Sequence, residues 1–144
     1  MPESTTAFPY ETRLNILHKP LELIDVHAIE DAHNYKWFNQ TLCKVNDSVV
    51  RVGIIEGEYH WHKHDNDDEF FYTVDGELLI DLRDQTPERT GVPTDGSSSE
   101  GWRTVALKRG QGLVVPRGIV HRTRALERTT ILMVENAGII PTGN

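Results

Sequence analysis

From residue 37 onward, the chain alternates between short segments rich in β-branched and aromatic residues and short turns rich in Asn, Asp, Gly and Pro. Segments of this length and composition are typical of β-strands. No long segment has the apolar periodicity of a helix. The chain is therefore predicted to be all-β, an antiparallel sandwich or barrel. The predicted strands cover residues 37–45, 48–56, 69–74, 77–82, 103–108, 112–115, 120–125 and 129–135.

Two of the turns are expected to shape the strand order. Asp75-Gly76 is a sequence that favours a tight hairpin, so it predicts pairing between the strands on either side of it. Leu126-Glu127 is expected to form the turn between the last two strands.

The first 35 residues have a less regular pattern. Residues 1–13 mix Pro, Thr and charged residues and are expected to form an extended arm. The alternation in residues 21–26 favours a strand, whereas a short helical turn around residues 28–32 fits equally well. We therefore divide the chain into an N-terminal arm with a first strand, residues 1–35, that packs on a barrel of residues 36–144.

Residues 83–102 interrupt the strand pattern with a segment rich in Gly, Pro, Ser and Thr. A mobile hairpin loop is the more ordinary interpretation of such a segment. A lid or a dimer contact that carries Trp102 is the alternative.

Composition narrows the class of protein. A chain of 144 residues fits one domain, and 38% apolar with 26% charged residues fits a soluble folded protein. A net charge of −7 disfavours nucleic-acid partners, and no apolar run is long enough to span a membrane. The N-terminus has no secretory signal pattern, and the single cysteine, Cys43, excludes an internal disulfide, so we expect a cytoplasmic protein.

Histidine is the unusual feature of the composition. Three of the seven histidines lie within residues 60–64. His62 and His64 are two residues apart, so on a strand they point to the same side. Glu69 opens the next predicted strand and could fold back beside them, and His121 lies far downstream on another β element. His18, His27 and His33 have no comparable pattern.

Three imidazoles and one carboxylate form a nitrogen and oxygen donor set. Such a set suits one divalent metal ion, Fe, Mn, Co, Ni or Zn. Four protein ligands on a six-coordinate metal leave two positions for substrate, water or dioxygen. The predicted metal ligands are therefore His62, His64, Glu69 and His121.

Residues 57–76 and 110–121 resemble the two motifs of the cupin superfamily. The first motif is matched by His62, His64, Glu69 and Gly76, and the second by Gly110, Pro116, Gly118 and His121. Gly57 lies one residue closer to His62 than that pattern has it, and Ala125 stands where many members have Asn. Neither departure changes a predicted ligand.

The resemblance, which covers about residues 36–144, implies a jelly-roll barrel, a bound metal and pairing into a homodimer. The residues around Trp61 and the C-terminal sequence after Val134 look like small cupins of the mannose-6-phosphate isomerase-like group. Cupins catalyse many reactions, so the resemblance implies no single one.

The leading functional hypothesis is a metal-dependent isomerase, cyclase or dioxygenase for a small, polar, oxygen-bearing substrate. Glu69 or His60 would move protons, and His60 is otherwise a residue of the cavity wall. Arg51 and Arg117 are the cations that could meet an anionic substrate. The alternative is a non-catalytic ligand-binding or sensory cupin, and a storage role fits least.

Overall fold

The computed structural model describes residues 4–5, 11–34, 36–83 and 101–143. These residues form nine strands and one helix. The elements are β1 (Ser4–Thr5), β2 (Glu11–Arg13), α1 (Val26–Ala32), β3 (Trp37–Val45), β4 (Ser48–Glu58), β5 (Glu69–Asp75), β6 (Glu77–Leu82), β7 (Arg103–Lys108), β8 (Gly112–Val115) and β9 (His121–Asn136).

Strand β9 is the element around which the sheet is organised. It pairs with β4 along its length, with β5 through its C-terminal half and with β6 through its N-terminal half. The main path runs β1-β2-β3-β4-β9-β5-β8, and β7 joins through β6. All neighbours are antiparallel except β2 and β3, which are parallel. The all-β prediction is confirmed.

The predicted turn at Leu126-Glu127 is wrong, because β9 continues through it. Ile55 of β4 pairs with Thr129, whereas Gly57 pairs with Ala125, so residues 126–128 bulge outward opposite a single residue of β4. Both halves of β9 keep β4 as their neighbour, and the backbone therefore remains in one strand. The bulge lets one strand serve two parts of the barrel.

The predicted hairpin at Asp75-Gly76 is also wrong, although the chain does turn there. Among the described residues, β5 pairs with β8 and β9, and β6 pairs with β7 and β9. The turn thus carries the chain across the bulge of β9, from one half of that strand to the other. Gly76 has a φ of 88°, and a Cβ on it would lie 2.4 Å from Thr129 Oγ1. Only glycine fits this crossing.

Helix α1 resolves the ambiguity of the first 35 residues in favour of a helix. The Asp25 side chain caps it by accepting a hydrogen bond of 3.1 Å from the Ala28 amide. Its apolar residues Val26 and Ile29, with Ile24, pack on a small cluster of β3 and β4 residues. This cluster covers the outside of the barrel and comprises Phe38, Leu42, Val52 and Ile54.

The larger apolar core lies inside the barrel. Alternate residues of the strands fill it, including Ile55, Phe71, Ile80, Ile131 and Met133. The helix that the described residues form, α1, is too short and too polar to cross a membrane. Apart from Arg83, Gly101 and Trp102, the segment predicted as a loop or lid lies outside the described residues.

Candidate metal centre

The two histidine-bearing segments are held together by their backbones. His62 and His121 form an isolated antiparallel bridge, in which the His62 amide donates to the His121 carbonyl at 2.9 Å and the His121 amide donates to the His62 carbonyl at 2.8 Å. The Gly118 amide donates to the His64 carbonyl at 2.8 Å. Residues that are nearly sixty positions apart are thereby fixed next to each other.

The rings of three predicted ligands lie side by side. The ring centroid of His62 is 4.3 Å from that of His121 and 5.0 Å from that of His64. His62 Nδ1 donates to the His60 carbonyl at 3.0 Å, and His121 Nδ1 donates to the Ile119 carbonyl at 2.9 Å. In the neutral ring these bonds fix the proton on Nδ1 and leave Nε2 with a lone pair.

Glu69 completes the group from the start of β5. Its Oε1 lies 3.4 Å from His64 Nε2 and 3.3 Å from His121 Nε2. One donor atom from each of the four predicted ligands lies within 4.8 Å of all the others. The structure therefore brings His62, His64, Glu69 and His121 into one cluster.

The cluster fits a metal because its buried acceptors are not satisfied by the protein. Within the described part of the chain, Glu69 Oε1 and the Nε2 atoms of His64 and His121 have no hydrogen-bond partner. Buried polar atoms without partners are costly, and several that converge on one point are the expected arrangement of ligands for a cation. The donor set of three nitrogens and one oxygen suits a divalent transition metal.

The charge states of the cluster favour ligation. Burial and the nearby His121 lower the pKa of His62 to about 3, so this ring is neutral near pH 7. Burial alone would raise the pKa of Glu69, but contacts with His121, His64 and Glu135 lower it well below its ordinary value. A neutral imidazole and an ionised carboxylate are the forms that bind metal.

Glu135 adds a second carboxyl group behind Glu69. The β5–β9 register pairs Glu69 directly with Glu135, and both side chains are buried. Burial and the negative charge of Glu69 raise the pKa of Glu135 well above its ordinary value. The negative charge of Glu69 thus favours the protonated form of Glu135.

A cavity opens beside this cluster. Its volume is about 430 Å³, counting its open mouth. A cavity of this size suits a small ligand. Its walls combine aromatic, apolar and polar side chains, namely Trp37, Asn39, Arg51, Ile55, Tyr59, His62, Glu69, Phe71, Thr123, Ile131, Met133, Glu135 and Pro141.

His60 lies next to the cluster but is engaged elsewhere. Its Nε2 donates to the Thr142 carbonyl at 2.8 Å, and its own carbonyl accepts the bond from His62. The ring thereby holds the C-terminal segment against the barrel. The catalytic role suggested for His60 stays a prediction.

The two candidate cations have different positions. Arg117 is 61% exposed and forms an ion pair with Asp68, with Nε 3.2 Å from Oδ1. Arg51 is 4% exposed and lines the cavity. Arg51 is therefore the cation that can meet a ligand inside the barrel.

Glu135 and Asn39 are cavity residues that the sequence analysis did not single out. Glu135 follows Met133 by two positions in β9, so the alternation of a strand places both side chains on the inner face. This parity was a usable signal. Asn39 had no such signal, because residues 37–42 are all buried, and the pattern does not show which side chains face the cavity.

Comparison with known proteins supports an assignment to a superfamily. A scan against models of known families finds no match. The chain is 38% identical over 109 residues to the uncharacterized protein YdbB of Bacillus subtilis, covering 76% of this chain and 81% of YdbB. It is 29% identical over 116 residues to an acireductone dioxygenase of Puccinia graminis f. sp. tritici, covering 76% of this chain. That match spans 55% of the dioxygenase, about half of its length.

Solved structures share the fold. A cupin-2 domain protein from Shewanella frigidimarina superposes with a TM-score of 0.63 at 26% identity, covering 79% of this chain and 94% of that protein. A hydroquinone 1,2-dioxygenase from Sphingomonas sp. TTNP3, solved with 4-hydroxybenzoate bound, superposes with a TM-score of 0.58 at 21% identity, covering 86% and 85%. The predicted jelly-roll fold is confirmed, whereas the narrower mannose-6-phosphate isomerase-like assignment stays a prediction. The chain belongs to the same family as YdbB and is a member of the cupin superfamily.

Proposed function

We propose that the protein is a metal-dependent enzyme that acts on a small oxygen-bearing substrate, with dioxygenation as the favoured reaction. The observation that carries the proposal is the convergence of three imidazoles and a carboxylate, with unsatisfied buried acceptors, next to a cavity that two of these residues, His62 and Glu69, line. The acireductone dioxygenase relative and the hydroquinone dioxygenase neighbour favour oxygen chemistry over isomerisation or cyclisation.

The residues of this chain would divide the work. His62, His64, His121 and Glu69 would hold one divalent metal ion, with His62 and His121 presenting Nε2 because Nδ1 is held by the backbone. When bound, such an ion supplies Lewis-acid activation of a chelating substrate and, if it is iron, redox chemistry with dioxygen.

Proton transfer would belong to the carboxyl pair. Glu69 lies in the cavity wall, where its carboxylate would be the proton acceptor nearest to a bound substrate hydroxyl. Glu135, whose pKa is raised by burial and by Glu69, would be the group that holds a proton behind Glu69, and Arg51 Nε lies 2.8 Å from Glu135 Oε1. The aromatic and aliphatic walls would exclude water from the bound substrate.

The test is oxygen consumption by protein reconstituted anaerobically with Fe(II), Mn(II), Co(II), Ni(II) or Zn(II). The substrates to offer are small molecules with two neighbouring oxygens, such as catechols and enediols, together with hydroquinones, whose two oxygens are para to each other. We expect oxygen uptake with Fe(II) and at least one substrate, and loss of uptake in His121→Gln. His27→Gln, which changes an exposed histidine on α1, is the matched control.

Each negative result would point to a different function. Turnover without oxygen uptake would redirect the proposal to isomerisation or cyclisation. Tight binding of these molecules without turnover would favour a ligand-binding or sensory cupin. Full activity in His121→Gln would overturn the metal-centred proposal.

A further inference from the structure

Arg51 and Asn39 form a polar corner of the cavity, opposite the apolar walls. Both side chains are buried, and both line the same space as His62 and Glu69. Arg51 pairs with Thr41 across β3 and β4, and Asn39 pairs with Gly53. The two residues are thus diagonal neighbours on adjacent strands and face the inside of the barrel.

The donors of this corner are not used up by the protein. Among the described residues, Glu135 is the ion-pair partner of the Arg51 guanidinium, through Nε. Within the described residues, Arg51 Nε is a buried atom without a hydrogen-bond partner, even though Glu135 Oε1 lies 2.8 Å from it. Buried donors of this kind normally have partners, so the corner has unused capacity for an acceptor.

Space for the Asn39 amide depends on a glycine. A Cβ on Gly53 would lie 3.0 Å from Asn39 Oδ1 and 2.9 Å from Ile131 Cγ1. Contacts this short do not occur without displacement of a neighbour. Gly53 therefore leaves room for the amide beside Arg51.

The electrostatics of the cavity favour a negatively charged ligand. Arg51 is a permanent cation with very little exposure to solvent. Even with Glu69 and Glu135 both ionised, a bound divalent metal and Arg51 would leave the site positively charged. An anionic ligand would neutralise this charge at low dielectric.

We propose that Arg51 and Asn39 form a subsite for a carboxylate or an equivalent anionic oxygen group of the substrate. The substrate of the proposed enzyme, on which this inference rests, would then carry two metal-chelating oxygens at one end and an anionic group at the other. Arg51 would donate its Nη hydrogens to that group, and Asn39 would donate its amide hydrogens.

Two matched chelators test the subsite without knowledge of the substrate. Butyrohydroxamate and succinic acid monohydroxamate bind metals through the same hydroxamate group, and they differ by a methyl group in the first and a carboxylate in the second. Their dissociation constants are measured on cobalt-loaded protein from the cobalt absorption spectrum. We expect wild type to bind the carboxylated chelator at least about 10-fold more tightly.

Four variants assign the preference to residues. Arg51→Gln should reduce the preference for the carboxylated chelator to about 2-fold or less. Arg51→Lys should keep part of this preference, and Asn39→Ala should weaken it by a smaller factor than Arg51→Gln. Arg117→Gln, which changes the exposed arginine, should keep all of it. Circular dichroism checks that each variant is folded. Equal binding of the two chelators by wild type, or a full preference in folded Arg51→Gln, would overturn the subsite.

The same experiment separates the subsite from the metal. Butyrohydroxamate reports the metal centre alone, so its failure to bind would contradict the proposed function and not the subsite. In that case propionate is titrated into metal-free protein and thermal stability is measured. Stabilisation of wild type and not of Arg51→Gln would support the subsite, and equal shifts in both would overturn it.

Discussion

Two polar clusters in the described part of this barrel contain a buried carboxylate, and they differ in whether the protein satisfies the hydrogen-bonding atoms of that carboxylate. Asp81, on the face of β6 opposite Ile80 and Leu82, is 0% exposed. It accepts hydrogen bonds from Thr104 at 2.7 Å, from Arg122 at 2.8 and 3.0 Å, and from Arg124 at 2.8 and 3.2 Å. Glu69, inside the barrel, has an oxygen that no described residue satisfies.

The difference indicates different roles. The hydrogen bonds of Asp81 outweigh the cost of burying it and lower its pKa, and Arg122 also lies over the Trp61 ring at 4.7 Å. Its acceptor capacity is filled, so this cluster ties β6, β7 and β9 together. Around Glu69, acceptor atoms of several residues converge, and among the described residues they have no hydrogen-bond partner. We call Asp81, Thr104, Arg122 and Arg124 the outer cluster, and His62, His64, Glu69 and His121 the inner cluster. We infer that the outer cluster serves stability and the inner cluster serves binding.

The largest expected effect on stability comes from Asp81→Asn. This change removes the anionic partner of Arg124 and leaves Arg122 only its longer contact of 3.7 Å with Glu58. Because both arginines are partly exposed, we expect a loss of about 2–3 kcal/mol in the free energy of unfolding. Urea unfolding measures it. The metal content of the folded variant should remain that of wild type. Asp68→Asn, at an exposed ion pair, is the control and should leave the free energy of unfolding unchanged. An equal loss in both variants would contradict the claim that the buried carboxylate of Asp81 stabilises the fold.

Metal binding should stabilise the protein through the inner cluster. At a free metal concentration 100 times the dissociation constant, linkage predicts about 2.7 kcal/mol of added stability. Thermal or urea unfolding with and without metal measures this gain. His121→Gln should abolish it, and His27→Gln should retain it. A gain that survives in His121→Gln would place the metal elsewhere.

The pH dependence of the metal-free protein should report His62. Its pKa is about 3 in the folded state against 6.5 as its ordinary value, so between these pH values the unfolded chain binds the extra proton. Stability should therefore fall as the pH decreases below 6.5, by up to about 2 kcal/mol at pH 5 from this residue. His62→Gln should show a shallower fall. The same slope in both proteins would contradict the buried neutral state.

Thr104→Val should have the smallest effect. It removes one of the hydrogen bonds to Asp81 and leaves those from both arginines, so we expect a loss of about 1 kcal/mol. Urea unfolding measures the loss, and metal affinity should not change. A change in metal affinity would show that the two clusters are coupled.

The sequence predicted the cluster better than the cavity. Strand parity predicted that His62 and His64 lie on one side, and the motif spacing added Glu69 and His121. The four side chains do lie together, although His62 and His64 belong to the segment between β4 and β5, where His62 forms an isolated β-bridge with His121. Glu135 could have been placed by the same parity from Met133. Arg51 was identified as a cation, but its burial depends on the register of β4 with β9, which residue patterns do not specify.

Strand segments were also predicted better than strand pairing. The pattern at 120–125 and 129–135 is correct for both halves of β9, but Leu126-Glu127 resembles a turn and forms a bulge. Asp75-Gly76 turns the chain as its residues indicate. Its flanking strands separate because each pairs with a different half of β9, and this choice depends on distant residues.

The central claim is that the unsatisfied inner cluster holds a divalent metal. The most direct test is the metal content, by mass spectrometry, of protein purified without added metal, compared with His62→Ala, His121→Ala and Asp81→Asn. We expect about one metal ion per chain in wild type and in Asp81→Asn, and a loss of metal in both histidine variants. Full metal occupancy in the two histidine variants would contradict the claim.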